Sequence, residues 1–495
     1  MSDEVASDIE PKDEAIITDK RITDPLKHGF PILTICTIAL LASSNLSGGA
    51  SVDLRYETPT STMTLPSLFS FSLANTIVEM YHARIYVLLG IVVVFSGVWP
   101  YAKLLLIGLA WIAPKSILDS RQRERVLETL DALSKFSLVD TFVLVLMMVS
   151  FRFHVDIGGN VFDIFVNPKF GFYGFLAATT LSLLLGHVAL YVHRQCTLPR
   201  LAHSFGGESV LDHRFKHGSS SFHLSRFFKA GVLLTTIAAG ALLVLGSTQA
   251  SFNFEIGGLA GTLVERKRSY SLLTLGLDLP NSVQNPGLGV TLLQVVYFFY
   301  ALVTPLLCLV SLLFLGFFPM TPAWQRGMLV VAEVANAWSA IEVFVLSVVV
   351  ALFEISTFAS FIVGHKCDAI NQVLDDQDLV PGENKCFSLR SSLNGNVWIL
   401  ILGVVLNSMV VSVMLRFARV AIEDRYHPNG GEEAEIDRAL DGQDDVVDVK
   451  ATNIAQLVCG SSLSTYLVVP EEKPATPRIR RADTDATERA GNRSK

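Results

Sequence analysis

The chain has 495 residues, 51% of them hydrophobic and only 17% charged, with a formal net charge of −7. Its mean hydropathy of +0.45 is too high for an ordinary soluble domain and indicates a polytopic membrane protein. No nucleotide-binding loop, nucleophile elbow or His-Glu-x-x-His motif occurs in it, so neither an enzyme nor a nucleic-acid-binding protein is expected.

Residues 1–28 are polar. They read as a disordered cytoplasmic N-terminus with no cleavable signal peptide. Eight stretches then approach the ~20 apolar residues that a bilayer crossing needs. They lie near 30–47, 84–112, 137–155, 171–193, 227–248, 290–318, 340–363 and 395–415. The first is the weakest, because Ser43, Ser44, Asn45 and Ser47 crowd its end. The second and sixth carry Pro100 and Pro305, where a kink or break is expected.

Between the second and third stretches, residues 115–135 mix charges with Ile117, Leu118, Val126, Leu127, Leu130 and Leu133. That spacing fits an amphipathic helix on the inner membrane surface or a solvated connector. Residues 322–337 hold the corresponding place later in the chain. Two long outer loops, 48–83 and 249–289, alternate partly over 52–73 and 252–279, as short strands would. The tail from 426 to 495 carries an acidic block at 432–448 and a basic block at 478–481 and reads as disordered and cytoplasmic. With a cytoplasmic N-terminus, 19 Lys and Arg fall in inner segments against 9 in outer ones. By the positive-inside rule both termini are then cytoplasmic.

One segment occurs twice. Phe136-Ser137-Leu138-Val139-Asp140-Thr141-Phe142-Val143-Leu144 returns 202 residues later as Trp338-Ser339-Ala340-Ile341-Glu342-Val343-Phe344-Val345-Leu346. The prolines repeat at an offset of 205. The expected fold is therefore all-α, with eight crossings in two parallel four-helix repeats, 29–225 and 226–425. Ser137 with Asp140, and Ser339 with Glu342, have the spacing of a capping box at a helix entry. The Phe136 and Trp338 rings are expected at the water–lipid boundary.

Charged residues inside crossings are costly and commonly functional. Lys103, Arg152 and Glu354 are the candidates for a substrate path. Arg152 and Glu354 stand at matching positions of the two repeats and could face each other, while Lys103 could instead extend to the interface. Cys367 and Cys386 share one outer loop and are a disulfide candidate. Cys36 and Cys308 lie in crossings and read as packing residues. The loop between the repeats holds His193, Cys196, His203, His213, His217 and His223. Their spacing matches no established zinc pattern, so no metal or other cofactor is expected.

Trp99-Pro100-Tyr101-Ala102-Lys103-Leu104-Leu105 is similar to the Pro-x-x-Lys-Leu motif that ends the second helix of the paraquat-inducible protein A family. The segment from Leu130 to Leu144 resembles that family's helix-entry motif, and Ala332-Glu333 through Val345 resembles it more closely. Family members are inner-membrane proteins of Gram-negative bacteria that work with partners forming hydrophobic conduits for lipid. The resemblance implies a lipid-handling membrane protein with a lipid substrate and a partner protein. Bacterial members carry zinc ribbons of paired Cys-x-x-Cys motifs, and this chain has none, which marks it as divergent. Alternative functions are an ion-coupled small-molecule transporter or channel, and a receptor or scaffold acting through its outer loops and tail.

Overall fold

The structure, a computed structural model, describes residues 16–18, 22–58, 61–114, 117–157, 160–197, 209–213, 215–217, 220–258, 261, 267–283, 287–352, 388–426 and 468–470. Within them eight helical spans are long and apolar enough to cross a membrane: Asp24–Leu46, Tyr86–Ile112, Gln122–Ser150, Phe170–Arg194, Arg226–Thr248, Leu288–Phe317, Pro322–Leu352 and Val397–Ile422. These are the first to eighth crossings below. The expected all-α polytopic membrane fold is thus present. A bilayer offers no partner for backbone polar groups, so helices that satisfy their own are the natural solution.

The first crossing buries Phe30, Thr34, Thr37, Leu41 and Ser44 along one face, while Ile32, Leu33, Ile35 and Leu46 point outward. Small polar residues face the protein and aliphatic ones face lipid, as membrane helix interfaces favour. The inward hydroxyls are satisfied locally: Thr34 donates to the Phe30 carbonyl at 2.9 Å and Ser44 to that of Leu41 at 2.8 Å. The serines that weaken this crossing's hydropathy are therefore interface residues. Ser44 meets the fourth crossing at Gly174, and Asn45 donates to the Tyr101 hydroxyl at 3.0 Å. Cys36 is exposed on this helix rather than packed, whereas Cys308 is buried in the sixth crossing.

The fifth crossing packs along the eighth in the same manner. A Cβ added at Gly246 would lie 2.6 Å from the Leu400 Cα, and one added at Gly403 would lie 3.0 Å from the Leu242 carbonyl carbon.

The expected irregularities at Pro100 and Pro305 take a definite form. A π-helical segment, Val93–Val98, leads into the helix Trp99–Ile112, and another, Phe299–Val303, leads into Thr304–Phe317. Each proline then sits at the start of an α-helix, where its missing N–H costs least.

The segments expected as amphipathic helix or connector form helices Ser120–Ser134 and Pro322–Trp338. Each leads almost directly into a buried helix: Val139–Ser150, through a 3₁₀ turn at Lys135–Leu138, in one case, and residues 341–352 in the other. Leu127 and Leu130 of the first belong to a core with Leu104, Ile107, Trp111 and Leu185.

The loops expected on the outer side form two antiparallel sheets. Strand Ala50–Thr58 lies between Ser61–Phe71 and Asn160–Pro168, with Phe153–Ile157 at the edge. Strand Phe252–Gly257 lies between Lys267–Tyr270 and Ser388–Leu393. The predicted stretch 52–73 is almost wholly strand. The stretch 252–279 is only partly so, because Leu272–Asp278 is a helix capped by a reciprocal Ser271–Thr274 box. The strands at 153–168 were not anticipated. Most of 1–28 and 426–495 lies outside the described residues. Within those ends are a 3₁₀ turn, Ile16–Thr18, and strand Val468–Pro470, paired with Ser220–Leu224.

Candidate functional site: a polar seam between the two halves

Glu124, Glu128, Asp131 and Lys135 recur at helical spacing along one side of the third crossing, so they form one stripe. The stripe faces inward. Arg194 of the fourth crossing contacts Glu124 at 3.1 Å, Glu128 at 2.6 Å and Glu333 of the seventh crossing at 2.5 Å. Arg419 of the eighth crossing reaches Glu128 at 3.1 Å and Glu333 at 2.7 Å. Three carboxylates and two guanidiniums thus alternate across four crossings, joining the halves at one end of the bundle. Further along, Lys135 lies 3.1 Å from Glu342, which also accepts from the Ser408 hydroxyl at 2.9 Å.

Lys103 is fully buried, and its Nζ has no hydrogen-bond partner among the described residues. It does not extend to the interface. Asp131 lies 3.0 Å from His187 Nδ1 of the fourth crossing. The contact uses Asp131 Oδ1, while His187 Nε2, on the far side of the ring, has no hydrogen-bond partner among the described residues. The His187 ring stacks on Trp338 at 6.1 Å, and Trp338 stacks on Tyr300 at 5.8 Å. Tyr300 in turn meets Thr180 at 3.2 Å.

The twice-occurring segment supplies the contact between halves, but not by capping. Ser137 falls within a 3₁₀ turn and Ser339 follows the end of a helix, and neither hydroxyl has a hydrogen-bond partner. Asp140 lies in the first turn of its helix, while Glu342 is engaged sideways by Lys135. In each copy the next helix begins two residues after the serine, at 139 and 341, so Leu138 and Ala340 hold the cap position and the serine stands one residue too early.

The aromatic residues ahead of the serines are half-buried and stack on the protein's own rings. Phe136 stacks on Phe95 at 5.4 Å and 27°, and Trp338 on Tyr300 at 5.8 Å and 25°. Phe95 and Tyr300 both sit in π segments, at the 205-residue offset of the prolines. Phe142 and Phe344, equivalent positions of the two copies, meet each other edge-on at 5.6 Å.

Arg152 follows the third crossing, and its carbonyl accepts from Arg268 at 2.9 Å. Glu354, Cys367, Cys386 and His203 lie outside the described residues. Among the described residues no group of three or more His, Cys, Asp or Glu could hold a metal ion. Of the sequence candidates, the structure places Lys103 and Glu342 along this seam. Asp131, His187 and Arg194 were missed as site residues. The signal for the first was the acidic stripe at 124, 128 and 131, which the charge-alternation reading hid.

Eight apolar crossings around a buried polar seam define a multi-pass integral membrane protein. The sequence matches the family model for paraquat-inducible protein A over residues 61–188 and 288–370. The match supports membership of the paraquat-inducible protein A family. Lys103, Asp131, Lys135, His187, Glu333, Trp338 and Glu342 all fall in the matched regions, whereas Arg194, Ser408 and Arg419 do not. No curated protein and no solved structure matches the chain.

Proposed function

We propose that this protein handles lipid, transporting it across or between membranes together with a partner protein. The observation that carries the reading is the polar seam of the third crossing, enclosed by helices whose outer surfaces are apolar. A cargo with a charged head and hydrocarbon tails matches those two environments together, since a charged group inside a bilayer needs polar partners. The proposal includes an orientation with both termini cytoplasmic, which places the Arg194–Glu333 cluster at the inner end. It also includes an origin by duplication, supported by the equivalent Phe142–Phe344 contact and the matching π segments.

The test is mass spectrometry of the lipids retained by purified protein, compared with the Lys135→Met, Glu342→Met double variant. That variant removes the charge pair while keeping side-chain bulk. The expected result is enrichment of one head-group class over bulk membrane lipid, diminished in the variant. Retained lipid of bulk composition in both proteins would overturn the reading.

A further inference from the structure

The two halves differ in chemistry at matching points of the second and sixth crossings. Lys103 and Cys308 stand at the same 205-residue offset as the two prolines, and Asp131 and Glu333 at the 202-residue offset of the repeated segment. In the second half, Cys308 donates to the Ala332 carbonyl at 3.5 Å and Glu333 is bound by two arginines. At the matching point both of these side chains therefore have partners. In the first half, Lys103 Nζ and His187 Nε2 are buried without a hydrogen-bond partner among the described residues, Asp131 Oδ1 is met by His187 Nδ1 at 3.0 Å, and Lys103 lies within electrostatic reach of Asp131. A small thiol fills the equivalent space, so packing alone does not call for an ammonium. Buried polar atoms left unpaired together need an explanation.

From this cluster we infer a proton-binding site inside the membrane domain, formed by Lys103, Asp131 and His187 and read out by Trp338. A metal cation would be repelled by Lys103 and an anion by Asp131, whereas a proton suits a carboxylate beside an imidazole. With Asp131 at Nδ1, the incoming proton bonds to Nε2, and the ring becomes imidazolium with no other bond made or broken. The cluster's surroundings carry charge on every side. Glu128 and Lys135 flank Asp131 on its own helix, and Arg194 lies two turns beyond His187. Glu333 and Glu342 belong to the seventh crossing, Tyr300 to the sixth and Arg419 to the eighth. The stripe leads from Asp131 through Glu128 to Glu124, whose side chain is 41% exposed, giving protons a polar route. Trp338 stacks on His187 from the second half, so the charge is sensed across the interface between halves. The site holds whatever the cargo is.

The test uses the full chain and needs no transport assay. An imidazolium quenches an adjacent indole, so Trp338 emission, obtained as wild type minus Trp338→Phe, is titrated between about pH 5 and pH 8. The expected result is a sigmoidal fall as pH drops, abolished in His187→Gln. The midpoint should move down by about one pH unit or more in Asp131→Asn, which removes a carboxylate favouring the imidazolium, and up in Lys103→Met, which removes an opposing cation. If a cluster variant fails to fold, the wild-type difference signal still decides, because Trp338→Phe leaves all three residues in place. A flat difference signal, a titration that survives His187→Gln, or a midpoint unmoved by Asp131→Asn or Lys103→Met would overturn the three-residue site.

Discussion

Replacing Arg194 by alanine is expected to destabilise the folded protein by roughly 3 kcal/mol, the low end for breaking a buried ion pair. One guanidinium contacts Glu124, Glu128 and Glu333. Without it, Glu128 and Glu333 are left to Arg419 alone and Glu124 loses its guanidinium, and Glu333, at 11% exposure, is the hardest to hydrate. The low end is appropriate because Glu124 is well exposed, and exposed pairs contribute little. The loss should appear as a lower apparent melting temperature of the purified protein. Adding Glu333→Met to Arg194→Ala should recover part of it, since removing both partners leaves fewer charges stranded. An Arg194→Ala protein that melts with the wild type would show that the network contributes no stability.

Gly246→Val is expected to be at least as damaging, through sterics rather than charge. The first added carbon meets the Leu400 backbone at 2.6 Å and its nitrogen at 2.8 Å, and backbone cannot rotate aside as a side chain can. The fifth and eighth crossings must separate, forfeiting contacts down the shared face. Overpacking of this kind costs about 3 kcal/mol or more when the obstacle is rigid. Gly231→Ala on the same helix is the control, because nothing lies within 4 Å of the added carbon. Size-exclusion profiles after solubilisation should show aggregated or absent protein for Gly246→Val and an unchanged peak for Gly231→Ala. A monodisperse Gly246→Val protein of normal yield would contradict the close approach.

What could be read from the sequence follows from which signals are local. Hydropathy located all eight crossings, because a span needs a contiguous apolar run. Pro100 and Pro305 gave the positions of irregularity, because a proline acts on its own turn. The serine pairs misled because a capping box depends on where the helix begins, and here it begins one residue too late for the serine to be its cap. Phe136 and Trp338 were assigned to an interface from composition alone. Their stacking on Phe95 and Tyr300 depends on residues far away in sequence. Lys103 was visible as a charge in an apolar run. Its neighbours Asp131 and His187 were not, since one sat in a segment read as surface or connector and the other alone among apolar residues. The outer sheets were half legible. Strands 50–71 lie in a long loop with alternation, whereas 153–168 pair with them across more than eighty residues of chain.

The two π segments hold a spare residue each. A π turn closes its hydrogen bond one residue later than an α turn. If the Val93–Val98 segment tightened to α geometry, everything beyond it would rotate by about 100° and advance by about 1.5 Å, the increment of one helical residue. Lys103 lies directly downstream. The second crossing therefore contains one residue of slack, sufficient to swing that ammonium from the seam toward a different neighbour without unwinding the helix, and Phe299–Val303 gives the sixth crossing the same allowance.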